Sequence, residues 1–447
     1  MNRATINLLL LLFTSVMMIG CKKERALVQK AKPEILINSQ DPRLADNSIH
    51  LSADTVYVLA AHINRARNQS LIVDAGTLVK IRDQYTINIE AGGKFESVGT
   101  EAEPVIFTSS AYQGGAGGGV SYQPHSWGGI SVSGNGVNGE SSGIIQYTRI
   151  EFAGSGSMNG SLVLNDISAS TKLSHIQVSY SINSPSFRFN GGNVNASNLL
   201  SYASGNSDFY IENGYNGMLQ FLLGYRHPFF PKDIADFAGL KISGQGTFPL
   251  ISNLTILGPG NQQGTSYRYG DTLSYSTYYP DGQGNRVGAL HTTGGAAFSI
   301  RNAVFSGFQK TGWLLDEREA ALKVSSGESG CMYCIFHTED AARVFILSPS
   351  LFPPLDSDDM YVHVMKDEFH NRIFPSMNEF LFTDFTNYDF SPKPFPATGS
   401  PLLSGADFTG LFANVFFEKV AFIGSNGDAG WLNGWTNFTP LQTNYNN

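Results

Sequence analysis

At 447 residues with a formal charge of −8 and only 15% charged side chains, the chain lacks the basic footprint that nucleic-acid binding requires. Solubility rests instead on Ser, Asn, Thr and 48 glycines, the composition of turn-rich β structure made for export. Its length allows two or three ordinary domains, but a chain built of stacked repeats escapes that count.

The chain opens MNRATINLLLLLFTSVMMIGCKK: a basic start, an apolar run of roughly a dozen residues, then Met18-Ile19-Gly20-Cys21. A run of that length suits a secretory signal over residues 1–20 better than a bilayer span. The small residues before Cys21 resemble the lipobox of bacterial lipoproteins, which implies that Cys21 becomes the diacylated first residue of the mature protein. A plain signal peptide or an uncleaved anchor is the bland alternative. Later segments never reach the about 18 uninterrupted apolar residues of a span, so lipid at Cys21 is the expected membrane contact. Residues 21–45 are polar and poorly periodic and read as a flexible tether.

Residues 46–69 are expected to begin a cover over one end of the fold. SLIVDAGTLVKI, YTINIEAGGKFESVG and PVIFTSS, between 70 and 110, read as three strands with glycine turns, a single coil with three faces. SWGGISVSG at 126–134 and GIIQYTRIEFAG at 143–154 repeat that grammar. From 172 the repeat becomes regular. KLSHIQVSY, ASNLLSYA and LQFLLGY place Ile176, Leu199 and Phe221 at intervals of 23 and 22, with Val178, Ser201 and Leu223 in step. Between them, FRFNGG and FYIENG set Phe187 against Phe209 and Gly192 against Gly214. PLISNLTILG at 249–258 and ALHTTGGAAFSIRNAVFSGF at 289–308 continue the series, which fades near Phe345.

Periods of this size with two or three strands each describe a solenoid whose parallel strands stack about 4.8 Å apart. Asn-Gly is also a hairpin signal, but a meander of hairpins needs no fixed register of 22 residues. The expected fold is therefore all-β, a parallel β-helix over 46–345. The segment 346–447 changes composition, gains prolines and a Trp-rich close, and reads as a cap lying on the last coils.

VDAGTLVKI, EAEPVIFTSS, SWGGISVSG, FNGGNVNASNLLSY, IENGYNG, GSPLLSGADF and FFEKVAFIGSNGDAGWLNGWTNF together resemble a family of right-handed parallel β-helix lipoproteins found in Bacteroidota. The resemblance runs from about residue 50 to residue 438. It implies the right-handed β-helix and an outer-membrane location, and brings no reaction. Surface display is the preferred orientation, although Lys22-Lys23-Glu24-Arg25 departs from the acidic export signal of such lipoproteins; attachment facing the periplasm stays open. Relatives often carry paired acids that a cation can bind where this chain has Ser184-Pro185-Ser186 and Asn206-Ser207-Asp208, so calcium, which takes six to eight oxygens, is not expected here.

With Phe187, Phe209 and Ile211 inward, Arg188, Tyr210 and Glu212 should face outward on neighbouring coils, the best candidates for ligand contact. Trp127, with Trp431 and Trp435, offers aromatic platforms for sugar, or else packing for an insertion and the tail. In CMYCIFH, Cys331, Cys334 and His337 fall short of the four ligands of a zinc site. A disulfide between Cys331 and Cys334, or two buried thiols, are the competing readings. No metal and no cofactor is expected. Glycoside hydrolysis needs two carboxylates flanking a bond, and a lyase needs a positioned base; neither constellation is visible. The expected role is a non-enzymatic outer-membrane lipoprotein that presents its surface to a polysaccharide or an envelope protein complex. A polysaccharide lyase or glycoside hydrolase is the alternative, and a structural spacer the third reading.

Overall fold

In Ser70–Asp74 only Leu71 and Val73 are buried, and in Thr86–Ile89 only Ile87 and Ile89. Period-two alternation of this kind turns every second side chain into a common interior. The computed structural model describes residues 31–111, 127–136, 139–155, 158–181, 183–226, 238–258, 288–308, 311–338, 341–347, 357–383, 395–427 and 430–445.

The first coil is β2 (Ser48–Leu51), β3 (Val56–Ala60) and β4 (Ile63–Arg65), preceded by β1 (Glu34–Asn38), which pairs with β3. β5 (Ser70–Asp74), β6 (Leu78–Ile81) and β7 (Thr86–Ile89) follow, then β8 (Lys94–Val98), β9 (Val105–Ser109) and β10 (Gly129–Ser133). From β11 (Gly143–Glu151) one long bent strand replaces two, because β11 pairs with both β8 and β9. Long strands β13 (Lys172–Ser179), β15 (Ala196–Tyr202), β17 (Met218–Tyr225) and β19 (Leu250–Leu257) then alternate with β12 (Leu162–Ile167), β14 (Phe187–Gly192), β16 (Phe209–Glu212), β18 (Ala238–Ile242) and β20 (Gly288–Thr292). The closing coils are β21 (Ser299–Arg301), β22 (Val304–Ser306) and β23 (Trp313–Leu315), then β24 (Gly330–Met332), β25 (Ile335–Phe336) and β26 (Phe345–Leu347). All of these pair in parallel, in one sheet of 17 strands, sheet A, and one of ten, sheet B, which runs from β4 to β26. The chain folds as a parallel β-helix.

The interior is a stack of like on like. Phe187 lies over Phe209 with ring centroids 5.3 Å apart, and Phe305 over Phe336 at 5.2 Å. Full burial of such a ring contributes on the order of 2–3 kcal/mol. The bend in each long strand is a residue with left-handed backbone: Tyr147, His175, Asn198, Phe221 and Asn253, continued by Asn302 and Tyr333. Asn adopts that conformation readily; Tyr and Phe do so at a cost, held by the strands on either side.

The pairing corrects several sequence expectations. Leu199 pairs with Leu222 and Ser201 with Gly224, one residue beyond the expected partners Phe221 and Leu223. Phe221 is a bend residue, and its ring packs outward on Phe422 at 6.0 Å. Residues 46–69 form a complete coil rather than a cover, and residues 70–109 hold five strands rather than one coil. The expected tether of 21–45 already contains β1 and a 3₁₀ turn at Pro42–Ala45.

The tail, expected on the last coils, reaches much further. β27 (Arg372–Ile373) extends the stack beside β25, after which residues 401–427 and 430–445 run back over the outer face of sheet A as far as β11. Three side-chain amides clip this strap to the coils. Each donates to the carbonyl, and accepts from the N–H, of one strap residue: Asn302 with Asp407, Gln220 with Glu418, and Gln177 with Asn437. Beneath the strap lies a second apolar core, where Tyr180, Tyr202 and Tyr225 meet Leu402, Ile423, Leu432 and Phe438.

Candidate ligand-binding face

The strap leaves the outer face of sheet B as the polar face of the described solenoid. Its outward column follows the register Asn64, Asn88, Ser131, Val163, Arg188, Tyr210, Lys241, His291. A parallel column carries Ser133, Asn165, Asn190 and Glu212. Amides hydrogen-bond up the face: Asn190 Nδ2 donates to Asn165 Oδ1 at 2.7 Å, and Asn213 Nδ2 to Asn190 Oδ1 at 2.5 Å.

At the centre of this face the structure brings Arg188, Tyr210 and Glu212 together. Arg188 Nε donates to Glu212 Oε1 at 2.6 Å, and the guanidinium carbon lies 5.6 Å from the Tyr210 ring centroid. Lys241 sits on the other side of Tyr210, its ammonium 5.3 Å from the ring centroid. The phenol oxygen is 3.2 Å from Ser243 Oγ, and burial lifts the phenol above its ordinary range, helped by Glu212 and opposed by Ser243 and Arg188. One coil on, His291 Nε2 meets Asp316 Oδ2 at 2.8 Å. Burial raises the Asp316 carboxyl, but the His291 hydrogen bond and charge, with Thr293 and Lys241, outweigh it and hold the group low. The cluster thus offers a tyrosine ring between two cations, one already paired with a carboxylate. Lys241 makes no ion pair among the described residues. Such a surface suits a hydroxyl-rich chain carrying negative groups.

Lys241, His291 and Asp316 were not singled out from the sequence. The coil-to-coil step from Tyr210 to Lys241 spans 31 residues and that from Lys241 to His291 spans 50, so the period of 22 or 23 that exposed Arg188 and Tyr210 fails there.

Other expected site residues fall elsewhere. Trp127 is fully buried, its indole N–H donating to the Glu151 carbonyl at 2.9 Å, and it offers no platform for a sugar. Trp435 is also buried, edge-on to Tyr147 and His175, while Trp431 is partly buried and bonds the Ser425 carbonyl. Cys331 and Cys334 stand as two unbridged buried thiols. The left-handed bend at Tyr333 turns both inward, and Cys334 Sγ settles on the Met332 carbonyl at 3.3 Å. Burial pushes the Cys331 thiol well up. His337 lies beside Ser306 Oγ at 3.1 Å, not in a ligand set. Asp208 is fully buried and faces a guanidinium. Arg226 Nε donates to Asp208 Oδ2 at 3.0 Å and its Nη atoms to the Ser204 and Ala238 carbonyls, while Ser201 donates to Asp208 Oδ1 at 2.6 Å. Among the described residues no cluster of His, Cys, Asp and Glu is arranged to hold a metal ion. Cys21 and the signal lie outside the described residues.

A family model described as a pectate-lyase-like beta helix domain matches residues 43–344, well over half of the chain. The chain belongs to this family. Neither a curated protein nor a solved structure matches it. For this pectate-lyase-like β-helix the match agrees with the stacked parallel sheets and fits a carbohydrate role, whether binding or cleaving.

Proposed function

We propose that the protein is a glycan-binding β-helix that holds a polysaccharide along the outer face of sheet B. The observation that carries this reading is the run of polar side chains that leads to Arg188, Tyr210 and Lys241, left uncovered by the strap, which lies on sheet A from β11 onward. Stacked strands repeat hydrogen-bonding groups about every 4.8 Å, a spacing close to the length of one sugar residue. The Lys241 ammonium favours a chain bearing uronate or sulfate groups. The test is binding of the full mature chain to polyuronates and sulfated glycans. Lys241→Ala should weaken binding by about tenfold, the value of one charge-assisted hydrogen bond, and added salt should do the same. Affinity unchanged by both sinks the proposal.

One observation favours a second reading. Tyr210 lies between Arg188 and Lys241, and His291 is held by Asp316, an array of the kind a lyase uses to abstract a proton beside a neutralised carboxylate. In the first reading Glu212 and Asp316 are each spent on a neighbouring base. Accumulation of unsaturated sugar ends on incubation with a polyuronate decides for the lyase.

The proposal extends to the envelope. Resemblance of residues 1–25 and of the ordered motifs to Bacteroidota lipoproteins supports anchoring in the outer membrane through lipid on Cys21, preferably at the cell surface and beside an envelope protein complex. Metabolic labelling with a fatty-acid analogue should mark the wild type and not Cys21→Ala, and protease applied to intact cells should cleave a surface-displayed form.

A further inference from the structure

The N-terminal end of sheet B carries a second hollow that differs in chemistry from the Arg188–Lys241 cluster. It has a volume of about 570 Å³ and is lined by His62, Asn64, Gln84, Thr86, Asn88 and Met158, with Ser155 at its edge. That size falls within the about 300–1,000 Å³ of small-molecule sites. A neighbouring hollow of about 380 Å³ shares His62 and Asn64 and adds the ring of Tyr85, which meets His62 edge-on at 5.2 Å. Arg65, the one cation among its described lining residues, is spent on the Leu44, Asp46 and Asn64 carbonyls.

The floor is built by register. Asn64 and Asn88 are partners on adjacent strands, Asn88 Nδ2 donating to Asn64 Oδ1 at 2.8 Å and to Thr86 Oγ1 at 3.0 Å, with His62 Nδ1 2.7 Å from Thr86 Oγ1. Gly128 lets the next strand pack closely on Thr86, since a Cβ there would lie 2.3 Å from Thr86 Cγ2. These bonds leave the Asn64 Nδ2 donor, the Asn88 Oδ1 acceptor and the Gln84 amide without a protein partner among the described residues. We infer that this hollow is a subsite for neutral saccharide. Free amide donors and acceptors match sugar hydroxyls, the His62–Tyr85 pair offers an aromatic edge for the apolar face of a ring, and among the described residues no carboxylate or ammonium lines it to select charge.

The inference stands apart from the charged cluster, and the experiment separates them. The full mature chain is titrated with cellohexaose, mannohexaose and laminarihexaose, and separately with a hexauronate, using wild type, Asn64→Ala/Asn88→Ala, Gln84→Ala and Lys241→Ala, each checked for a wild-type melting profile. A neutral hexasaccharide should bind, lose about tenfold or more affinity in the Asn64/Asn88 variant and less in Gln84→Ala, and be indifferent to Lys241→Ala and to salt. Binding of the hexauronate without any neutral hexasaccharide overturns this inference and leaves the charged face intact. Neutral binding that survives Asn64→Ala/Asn88→Ala, or that falls with Lys241→Ala, overturns it as well. Should the double variant melt early, Gln84→Ala carries the decision, and full neutral affinity there counts against the subsite.

Discussion

Replacing Arg226 by methionine keeps most of the side-chain volume and removes the cation that faces Asp208. Both side chains are at most 1% exposed, so the carboxylate that remains has no water to turn to. It keeps Ser201, while the Ser204 and Ala238 carbonyls lose their donors. Breaking one side of a buried pair costs about 3–5 kcal/mol. The pH dependence identifies the cause. In the wild type, burial lifts Asp208 to about 6 in spite of the attraction of Arg226 and the bonds from Ser201 and Arg226. The folded value lies above the unfolded one, so this contribution to stability is fully present below about pH 4 and is lost as pH rises through about 6. At about 1.36 kcal/mol per pH unit, that loss is about 3 kcal/mol. Without Arg226 the carboxyl climbs further, and the deficit of Arg226→Met relative to wild type should be largest at pH 8 and shrink towards pH 5. Urea melts followed by circular dichroism at several pH values measure this, and hydrogen exchange over 196–226 locates it, because stacked coils open locally. The double variant Asp208→Asn/Arg226→Met removes both charges and should recover most of the loss. An Arg226→Met protein as stable as wild type at pH 8, or a deficit that does not change with pH, would refute the reasoning.

The strap gives a second expectation: Gln220→Leu removes three hydrogen bonds, two to the Glu418 N–H and carbonyl and one to Asn253 Oδ1, so stability should fall by about 2–4 kcal/mol, with faster amide exchange across the strap before any change in β14 and β16. Acid should loosen the fold through the buried imidazole of His337 and the half-buried one of His175, both held down to about 4 by desolvation. Their folded values lie below the unfolded ones, so stability is lost as pH falls from about 6.5 towards 4. His337 contributes about 3 kcal/mol and the more exposed His175 about half that after allowance for solvent, which together exceed the opposing term from Asp208. Replacing His337 by glutamine should flatten the acid limb of a stability–pH curve, and an unchanged limb would count against the assignment. Cys331 and Cys334 should be silent to a thiol reagent in the folded protein and stoichiometric in urea; rapid labelling of the native chain would show that the thiols are not buried.

The fold was legible wherever a coil kept its length. The rhyme of Phe187 with Phe209 is a stacked ring pair, and the alternation that singled out Arg188, Tyr210 and Glu212 in two short runs places them within reach of one another. Sequence reasoning slipped where one apolar residue could stand for another. Phe221 and Leu222 are equally suited to an interior, and nothing in their identity marks the left-handed bend that throws Phe221 outward. Trp127 misled for a related reason, since an aromatic beside two glycines reads as a platform until its indole N–H is seen bonded inside the stack. Lys241 and His291 were hidden by the length of the steps that separate them from Tyr210.

The strap was the least legible part, and it decides which face can act. Its clips are made by Gln177, Gln220 and Asn302, side chains that look solvated in a polar, Asn-rich sequence, and their partners lie 260, 198 and 105 residues away. A carboxamide carries both an acceptor and N–H donors and so pairs with the N–H and C=O of a peptide unit, which lets a coil grip an extended chain without adding a strand. The grip uses the backbone of the strap and therefore leaves no motif in it. What it does leave is the apolar spacing of Leu402, Ile423, Leu432 and Phe438, which gains a meaning once the tyrosines of three successive coils are placed beneath them. With the outer face of sheet A covered from β11 onward in this way, the proposed ligand chemistry falls to sheet B, where the amide column grades from the hollow at Asn64 and Asn88 to the cations beside Tyr210. A polysaccharide laid along that column would meet neutral contacts at one end and charged contacts at the other, so its direction on the helix would follow from the placing of its acidic sugars.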